Sequence, residues 1–95
     1  MTTAKIIAEQ IGKRAFFMMG AKNLVDVGNG LTWKVGRNDN GVTHVTVTLT
    51  PLDFYDLKFQ RVRGTKVVTT AEVKGIYADM VHRTIEQHTG LRLSL

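Results

Sequence analysis

The chain has 95 residues, so we expect one domain, 1–95, with a core large enough to fold without metal ions or disulfides. It has no cysteine, which excludes a disulfide framework and a thiolate zinc site. Thirteen Lys and Arg against eight Asp and Glu give a formal net charge of +5, an excess that favours polyanionic partners.

The N-terminal segment lacks the charged region and long apolar run of a signal peptide. No apolar stretch approaches the roughly 18 residues that a membrane span requires. We therefore expect a cytoplasmic protein without a membrane partner.

The beginning of the chain has the spacing of an amphipathic helix. Isoleucines recur at helical intervals over residues 6–11, behind Thr2 and Thr3, either of which is a suitable N-cap. Gly12 is expected to end or bend this helix. The pattern therefore predicts a first helix that packs its isoleucines against a core.

The run RAFFMM, residues 14–19, is too apolar for a loop. Gly20 follows it and is typical of a helix terminus. A second helical segment is predicted here, with Phe16 and Phe17 entering the core.

From residue 24 the hydrophobic period changes to two, and Asn-Gly dipeptides separate short runs, which is typical of antiparallel hairpins. Strands are predicted at 24–27, 31–35, 42–50, 54–64 and 65–73. Their inward-facing residues are predicted to be Leu31, Trp33, Val35, Val45, Val47, Leu49, Tyr55, Leu57 and Phe59.

The stretch FQRVRGTK, residues 59–66, conflicts with this alternation. Arg61 and Arg63 fall on the same face as Phe59, where an unpaired buried charge costs several kcal/mol. Either a bulge near Gln60 turns both arginines outward, or the strand extends past the core at this point. Both alternatives expose the guanidinium groups.

The last third returns to a helical period over residues 76–89, and Gly90 is a suitable residue to end the helix. The tail, 91–95, is expected along a sheet edge or across the base of this helix. The apolar face of the predicted helix consists of Ile76, Tyr77, Met80, Val81 and Ile85.

The order of the elements predicts an α+β protein. It is expected to be a two-layer sandwich in which an antiparallel sheet of three to five strands carries an N-terminal and a C-terminal helix on one face.

The residues that could support catalysis or metal binding do not form a convincing set. Asp79, His82 and Glu86 share one helix face, but an exposed face with charge pairs gives the same pattern. The only serine is Ser94, and His44 has no orienting carboxylate at a suitable spacing. We predict no catalytic residue, no metal and no cofactor, and therefore a protein that is not an enzyme.

The strongest candidate for function is a basic surface. Guanidinium groups and the hydroxyls of Thr46, Thr48 and Thr50 suit phosphate oxygens. The alternative is that threonine and lysine simply cover a solvated sheet face. The residues predicted to bind nucleic acid or a protein partner are Lys34, Arg37, Lys58, Arg61, Arg63 and Lys66.

The segments AKNLV, GLTWKVGRN, VTLTPLDFYDLKFQRVRGTK and GIYADMVHRTIEQHTGLRLSL resemble a family of small uncharacterised proteins of bacteriophages and mobile elements. The resemblance covers nearly the whole chain and implies a protein that acts in the cytoplasm of a bacterial host. No activity or site residue is implied by it.

Two hypotheses about function follow. In the first, a basic sheet face and turn contact the nucleic acid backbone with little sequence reading. In the second, the protein is an anti-defence inhibitor, similar in action to an anti-CRISPR protein, and binds an acidic surface of a host protein or ribonucleoprotein complex. The oligomeric state stays open, with a homodimer formed through strand 24–27 or the C-terminal tail as one alternative.

Overall fold

A five-stranded antiparallel sheet, in the spatial order β1-β2-β3-β4-β5, forms one layer of the molecule. The structure is a computed structural model, and it describes residues 2–93. The helices are α1 (Thr3–Ile11), α2 (Lys13–Met19) and α3 (Val81–Thr89), with a 3-10 turn at Ala78–Met80. The strands are β1 (Lys22–Asp26), β2 (Gly30–Lys34), β3 (His44–Leu49), β4 (Tyr55–Arg63) and β5 (Lys66–Ile76). The predicted α+β class, with helices at both ends of the chain, is confirmed.

The first helix forms as its spacing predicts. The Thr2 hydroxyl accepts a hydrogen bond from the Lys5 backbone N–H at 3.2 Å and so caps α1. Ile7 and Ile11 are buried, and Gly12, with a φ of +88°, separates α1 from α2. Within residues 2–93, no helix has the length and apolar character needed to cross a lipid bilayer.

The prediction that both phenylalanines of α2 enter the core is wrong for Phe17, whose side chain is 84% exposed. Ala15 and Met19, four residues apart, form the buried stripe of α2 instead. Because each helical residue turns by roughly 100°, Phe17 lies on the opposite side of the helix. Phe16 packs its ring edge to face with Trp33, at 5.2 Å between ring centroids.

The central strands β2, β3 and β4 pair without a shift in register. One cross-strand row contains Trp33, Val45 and Phe59, and all three are fully buried beneath the helices. The predicted alternation of inward and outward residues is therefore confirmed for these strands.

Bulges occur in the two edge strands. Opposite Trp33, β1 contains one residue more than β2, and Asn23 has a φ of +56° there. Along β4, the pairing shifts between Phe59 and Gln60 because β5 contributes the extra residue, Thr70. A second shift near Tyr55 also adds a residue to β5. The side-chain alternation of both edges therefore changes face along the strand.

The start of the last helix was predicted too early. Ile76 pairs with Tyr55 and belongs to β5, and Tyr77 is largely exposed, so α3 begins only at Val81. Val81 and Ile85 are buried as predicted, and Met80 is partly exposed. The competing interaction is the β4–β5 ladder, which extends through positions that have a helical spacing.

The C-terminal end of α3 matches the prediction. Gly90 adopts a left-handed conformation with a φ of +77° and ends the helix. Leu93 is buried and its backbone N–H donates to Glu86 Oε2 at 3.1 Å, so residues 91–93 pack beside α3 without forming a strand. The remainder of the predicted tail, 94–95, lies outside the described residues.

Replacing Gly30 by alanine should destabilise the fold strongly. An added Cβ would overlap the carbonyl oxygen of Val47 and lie 2.9 Å from the Cα of Thr48, both in the adjacent central strand. Gly28→Ala is the control, because its Cβ would meet nothing within 4 Å and only its positive φ is strained. Urea unfolding should show a loss of roughly 1–2 kcal/mol for Gly28→Ala and a larger loss for Gly30→Ala. Equal losses would contradict the packing described here.

The stability of the protein should fall at high pH because of Tyr55. Burial, with a further contribution from the Asp53 carboxylate, raises the pKa of the Tyr55 phenol above its usual value of 10.0. The folded state therefore holds this proton more tightly than the unfolded state. The stabilisation is complete below pH 10.0 and is lost as the pH rises through the folded-state pKa. Denaturant unfolding of Tyr55→Phe should show a smaller decrease above pH 10.0 than the parent protein shows.

Candidate functional site

Basic side chains gather at one end of the sheet. Lys34, His44 and Gln60 form the row that ends the pairing of β2, β3 and β4 at this end. Lys22 at the start of β1 lies opposite Lys34. The loop after β2 and the β4–β5 hairpin project beyond this row. We call this region the basic end, and its cationic residues are Lys22, Lys34, Arg37, Arg61, Arg63 and Lys66.

The structure decides between the two alternatives for the arginines of β4. The bulge near Gln60 lies in β5, so the alternation of β4 continues without interruption. The last β4 residue that pairs with β3 is Gln60, and the strand therefore extends past the core. Arg63 is exposed, as predicted, and lies opposite Lys66 next to the hairpin turn.

Arg61 is only half-buried, and it has structural contacts. Its Nε donates to the carbonyl oxygen of Gly41 at 3.2 Å, and its Nη2 donates to that of Asn40 at 3.3 Å. These two carbonyl groups belong to the loop between β2 and β3. Arg61 therefore fixes this loop against β4, a role that the sequence did not reveal.

The loop has further hydrogen bonds that hold its shape. The Asn38 Nδ2 donates to the carbonyl oxygens of Gly36, at 2.9 Å, and Val42, at 2.7 Å. The Asn38 Oδ1 accepts from the Val42 backbone N–H at 3.0 Å. Asn40 Nδ2 donates to the carbonyl oxygen of His88 in α3 at 2.9 Å. The loop is therefore tied to itself, to the sheet and to the last helix.

A shallow depression of about 330 Å³ lies between this loop and β4. Three of the predicted binding residues, Lys34, Arg37 and Arg63, line it together. No carboxylate is among the lining residues, which otherwise are Val35, Gly36, Asn38, Gly41, Val42 and Thr43. We call this feature the basic depression.

Lys58 is the one predicted binding residue that lies away from the basic end. It sits in the middle of the outer sheet face, directly opposite Glu72. Glu72 is also within 3.6 Å of Lys74, and Asp56 lines the same small cavity as these residues. The outer face therefore has mixed charge, unlike the basic face that was expected.

The hydroxyls of Thr46 and Thr50, which were expected to suit phosphate oxygens, have hydrogen-bond partners within the protein. The Thr46 hydroxyl donates to the Thr32 hydroxyl at 2.9 Å, and Thr32 in turn donates to the carbonyl oxygen of Val45. The Thr50 hydroxyl accepts from the backbone N–H of Phe54. These hydroxyls stabilise strands and turns.

The opposite end of the sheet is acidic. Asp53 and Asp56 line a cavity of about 540 Å³ there, and Asp26 ends β1 at the same side. The carboxylates of Asp26, Asp53 and Asp56 thus lie at the end of the sheet opposite the basic end, whereas Asp39 belongs to the loop between β2 and β3 at the basic end itself. The net charge of the chain does not reveal this arrangement, because the position of each charged side chain depends on the register of the strands.

The three histidines have structural contacts. The ring N–H of His82 donates to the carbonyl oxygen of Ile11 at 2.8 Å, and His88 stacks on Phe59 with 4.9 Å between ring centroids. Within residues 2–93, no group of three or more His, Cys, Asp or Glu side chains is arranged to hold a metal ion. His44 contacts the Thr43 hydroxyl through Nδ1 at 2.8 Å.

Comparison with known proteins gave no family model, curated protein or solved structure that matches the chain. The inference of function therefore depends on the geometry and charge of the basic end. Lys22 was not among the predicted binding residues, because β1 begins two residues before the predicted strand.

Arg61 and Arg63 should differ in their effect on stability. Arg61→Met removes two hydrogen bonds from a charged donor to loop carbonyl groups and should lower the free energy of unfolding by about 1.5–3 kcal/mol. Arg63→Met is the matched control on the same strand, and its exposed side chain should change stability by less than about 0.5 kcal/mol. Urea unfolding monitored by Trp33 fluorescence measures both. The assignment of Arg61 as the loop anchor is wrong if the two variants lose equal stability.

Proposed function

We propose that the protein binds the backbone of nucleic acid through the basic end, with little reading of base sequence. The observation that carries this proposal is the absence of ion pairing there. In the described part of the chain, Lys74–Glu72 is the only Lys or Arg contact with a carboxylate within 4.0 Å. Apart from Arg61, which is held by the loop carbonyl groups, the cations of the basic end are therefore available to neutralise phosphates, which releases counterions from the nucleic acid.

The types of side chain at the basic end favour contact with phosphates over contact with bases. Exposed arginine and lysine side chains donate hydrogen bonds to phosphate oxygens but carry little sequence information unless they enter a groove. Base stacking requires exposed aromatic rings. Trp33 and Phe59, the aromatic residues of the nearest sheet row, are fully buried.

The separation of charge along the strands supports the same proposal. Carboxylates at the far end of the sheet are repelled by a polyanion, while the basic end is attracted to it. A ligand is therefore expected to approach the molecule from one direction. The resemblance to bacteriophage and mobile-element proteins fits a non-enzymatic binding protein that acts in the host cytoplasm, which is part of this proposal.

A second candidate is inhibition of a host defence complex through protein contact. An apolar groove of about 490 Å³ lies between the N-terminal helices and β1, and Ala8, Phe16 and Leu24 line it. The adjacent Phe17 side chain is 84% exposed, and large exposed apolar residues are typical anchors of protein interfaces.

A pull-down from bacterial lysate, with and without nuclease, separates the two candidates. Partners that survive nuclease treatment favour protein contact.

Charge reversal at the basic end should weaken binding and flatten its salt dependence. We expect the double variant Arg37→Glu, Arg63→Glu to bind oligonucleotides more weakly. The slope of log K against log salt concentration should decrease by roughly 0.7–0.9 for each phosphate contact that is lost. Fluorescence anisotropy with a labelled oligonucleotide, repeated over a salt series, measures both quantities.

The charge-matched control is Lys58→Glu, Lys74→Glu, which makes the same change in net charge on the outer sheet face. Its salt slope should stay close to that of the parent protein. If the control and the basic-end variant lose affinity equally, only overall charge matters and the proposed interface is wrong. If the parent protein binds no DNA or RNA at low salt, the proposed function fails.

A further inference from the structure

We infer that the basic depression is a preformed site for one phosphate group. This inference rests on the proposed function for the biological source of the phosphate, but the site itself follows from the geometry of three cations around one concave surface. It names Lys34, Arg37 and Arg63 as the residues that contact the anion. It assigns Arg61 a different role, that of a positioning residue.

The three cations come from different parts of the fold. Lys34 is the last residue of β2, Arg37 belongs to the loop that follows, and Arg63 lies at the end of β4. All three line the same depression. Convergence of cations from separate elements on one concavity is the arrangement that stabilises a compact anion, because each contributes to the potential at one point.

The neighbouring polar groups are already engaged, so the cations remain as the donors for a ligand. The Thr43 hydroxyl accepts from the Val62 backbone N–H at 2.8 Å and donates to the carbonyl oxygen of Gln60. The Gly36 N–H donates to the carbonyl oxygen of Met19 at 2.8 Å. A ligand with several acceptor oxygens and negative charge therefore matches the depression.

The wall of the depression is held in place before any ligand binds. The three hydrogen bonds of Asn38 close the loop on itself, and the guanidinium of Arg61 fixes Asn40 and Gly41 against β4. A loop that is ordered in advance loses less conformational entropy on binding. This is why Arg61, although it does not line the depression, is expected to affect its affinity.

The volume of about 330 Å³ is near the lower limit of ordinary small-molecule sites. It accommodates a phosphate group together with the sugar that carries it. The phosphate can come from the terminus of a strand or from an internal phosphodiester. Terminal phosphate carries a charge of about −1.5 to −2 near neutral pH, so a terminus should bind more tightly to three cations.

The first experiment titrates the ¹⁵N-labelled protein with inorganic phosphate at constant ionic strength, followed by ¹H–¹⁵N correlation spectra. We expect saturable shifts confined to the amides of residues 34–43 and of Arg63. The variant Arg37→Gln, Arg63→Gln should abolish them, while Lys58→Gln should retain them. Both altered arginines are exposed, and unchanged spectra outside the loop verify folding. Shifts that are absent, unsaturable or spread over the surface overturn the site.

The second experiment compares single-stranded oligonucleotides with a 5′-phosphate and with a 5′-hydroxyl. Tighter binding of the phosphorylated strand, lost in the Arg37→Gln, Arg63→Gln variant, assigns the site to terminal phosphate. Equal binding with the same loop shifts assigns it to internal phosphodiesters, which also supports the site. Oligonucleotide binding without shifts in the loop refutes the depression but not the proposed function. Phosphate binding without oligonucleotide binding refutes the proposed function but not the depression.

The positioning role of Arg61 has its own test in the same titration. Arg61→Lys retains the positive charge but cannot reach two carbonyl groups with a planar fork. It should weaken phosphate binding several-fold and broaden the amide signals of residues 38–42. A variant with unchanged affinity and sharp loop signals would show that Arg61 does not position the loop.

Discussion

The unshifted pairing of β2, β3 and β4 is the constraint on which the rest of the molecule depends. It places Trp33, Val45 and Phe59 in one buried row, and the helices pack over that row. It also ends the three strands together, at Lys34, His44 and Gln60. A slip by one residue would move every core side chain to the solvent face.

Arg61 connects the fold to the candidate site. The alternation of β4 places this side chain on the same face as Phe59, one residue beyond the last pair between β3 and β4, where the core ends. The loop carbonyl groups of Asn40 and Gly41 accept its guanidinium hydrogen bonds, which compensates for partial burial of the charge. The loop is thereby fixed at a position where Arg37 and Arg63 line the same depression. The hydrogen bonds that satisfy the half-buried Arg61 guanidinium therefore also fix the loop of the surface that we propose for binding.

Much of the fold was predictable because its signals are local. The alternation around Trp33 and Val45, the cap at Thr2 and the stop at Gly90 each depend on residues close in the chain. The error at Phe17 concerns which side of α2 is buried, since Ala15 and Met19 face the core instead. The error at Ile76 comes from an interaction between distant segments. Ile76 has a helical spacing but pairs with Tyr55, and no local pattern indicates that partner.

The candidate site was predicted only in part, because its composition also depends on pairing between distant segments. The spacing of Arg37, Arg63 and the other cations on adjacent strands predicts a shared surface, but the same spacing also includes Lys58. Which charges share an end of the sheet depends on register, and which carboxylate faces each lysine depends on the neighbouring strand. The pairing of Lys58 with Glu72 across β4 and β5 is set by the shift at Thr70, which has no signature in composition.

The bulges of β1 and β5 have a consequence for how molecules of this protein meet one another. An exposed strand edge is a template on which further chains can add, and a regular edge invites fibril growth. Here each edge switches its side-chain alternation along its length, at Asn23 in β1 and at Thr70 in β5. Each shift interrupts the regular pattern of side chains that a pairing strand would have to match. Irregular edges of this kind disfavour edge-to-edge polymerisation of the sheet, even though Val25 and Val68 stay in contact with water.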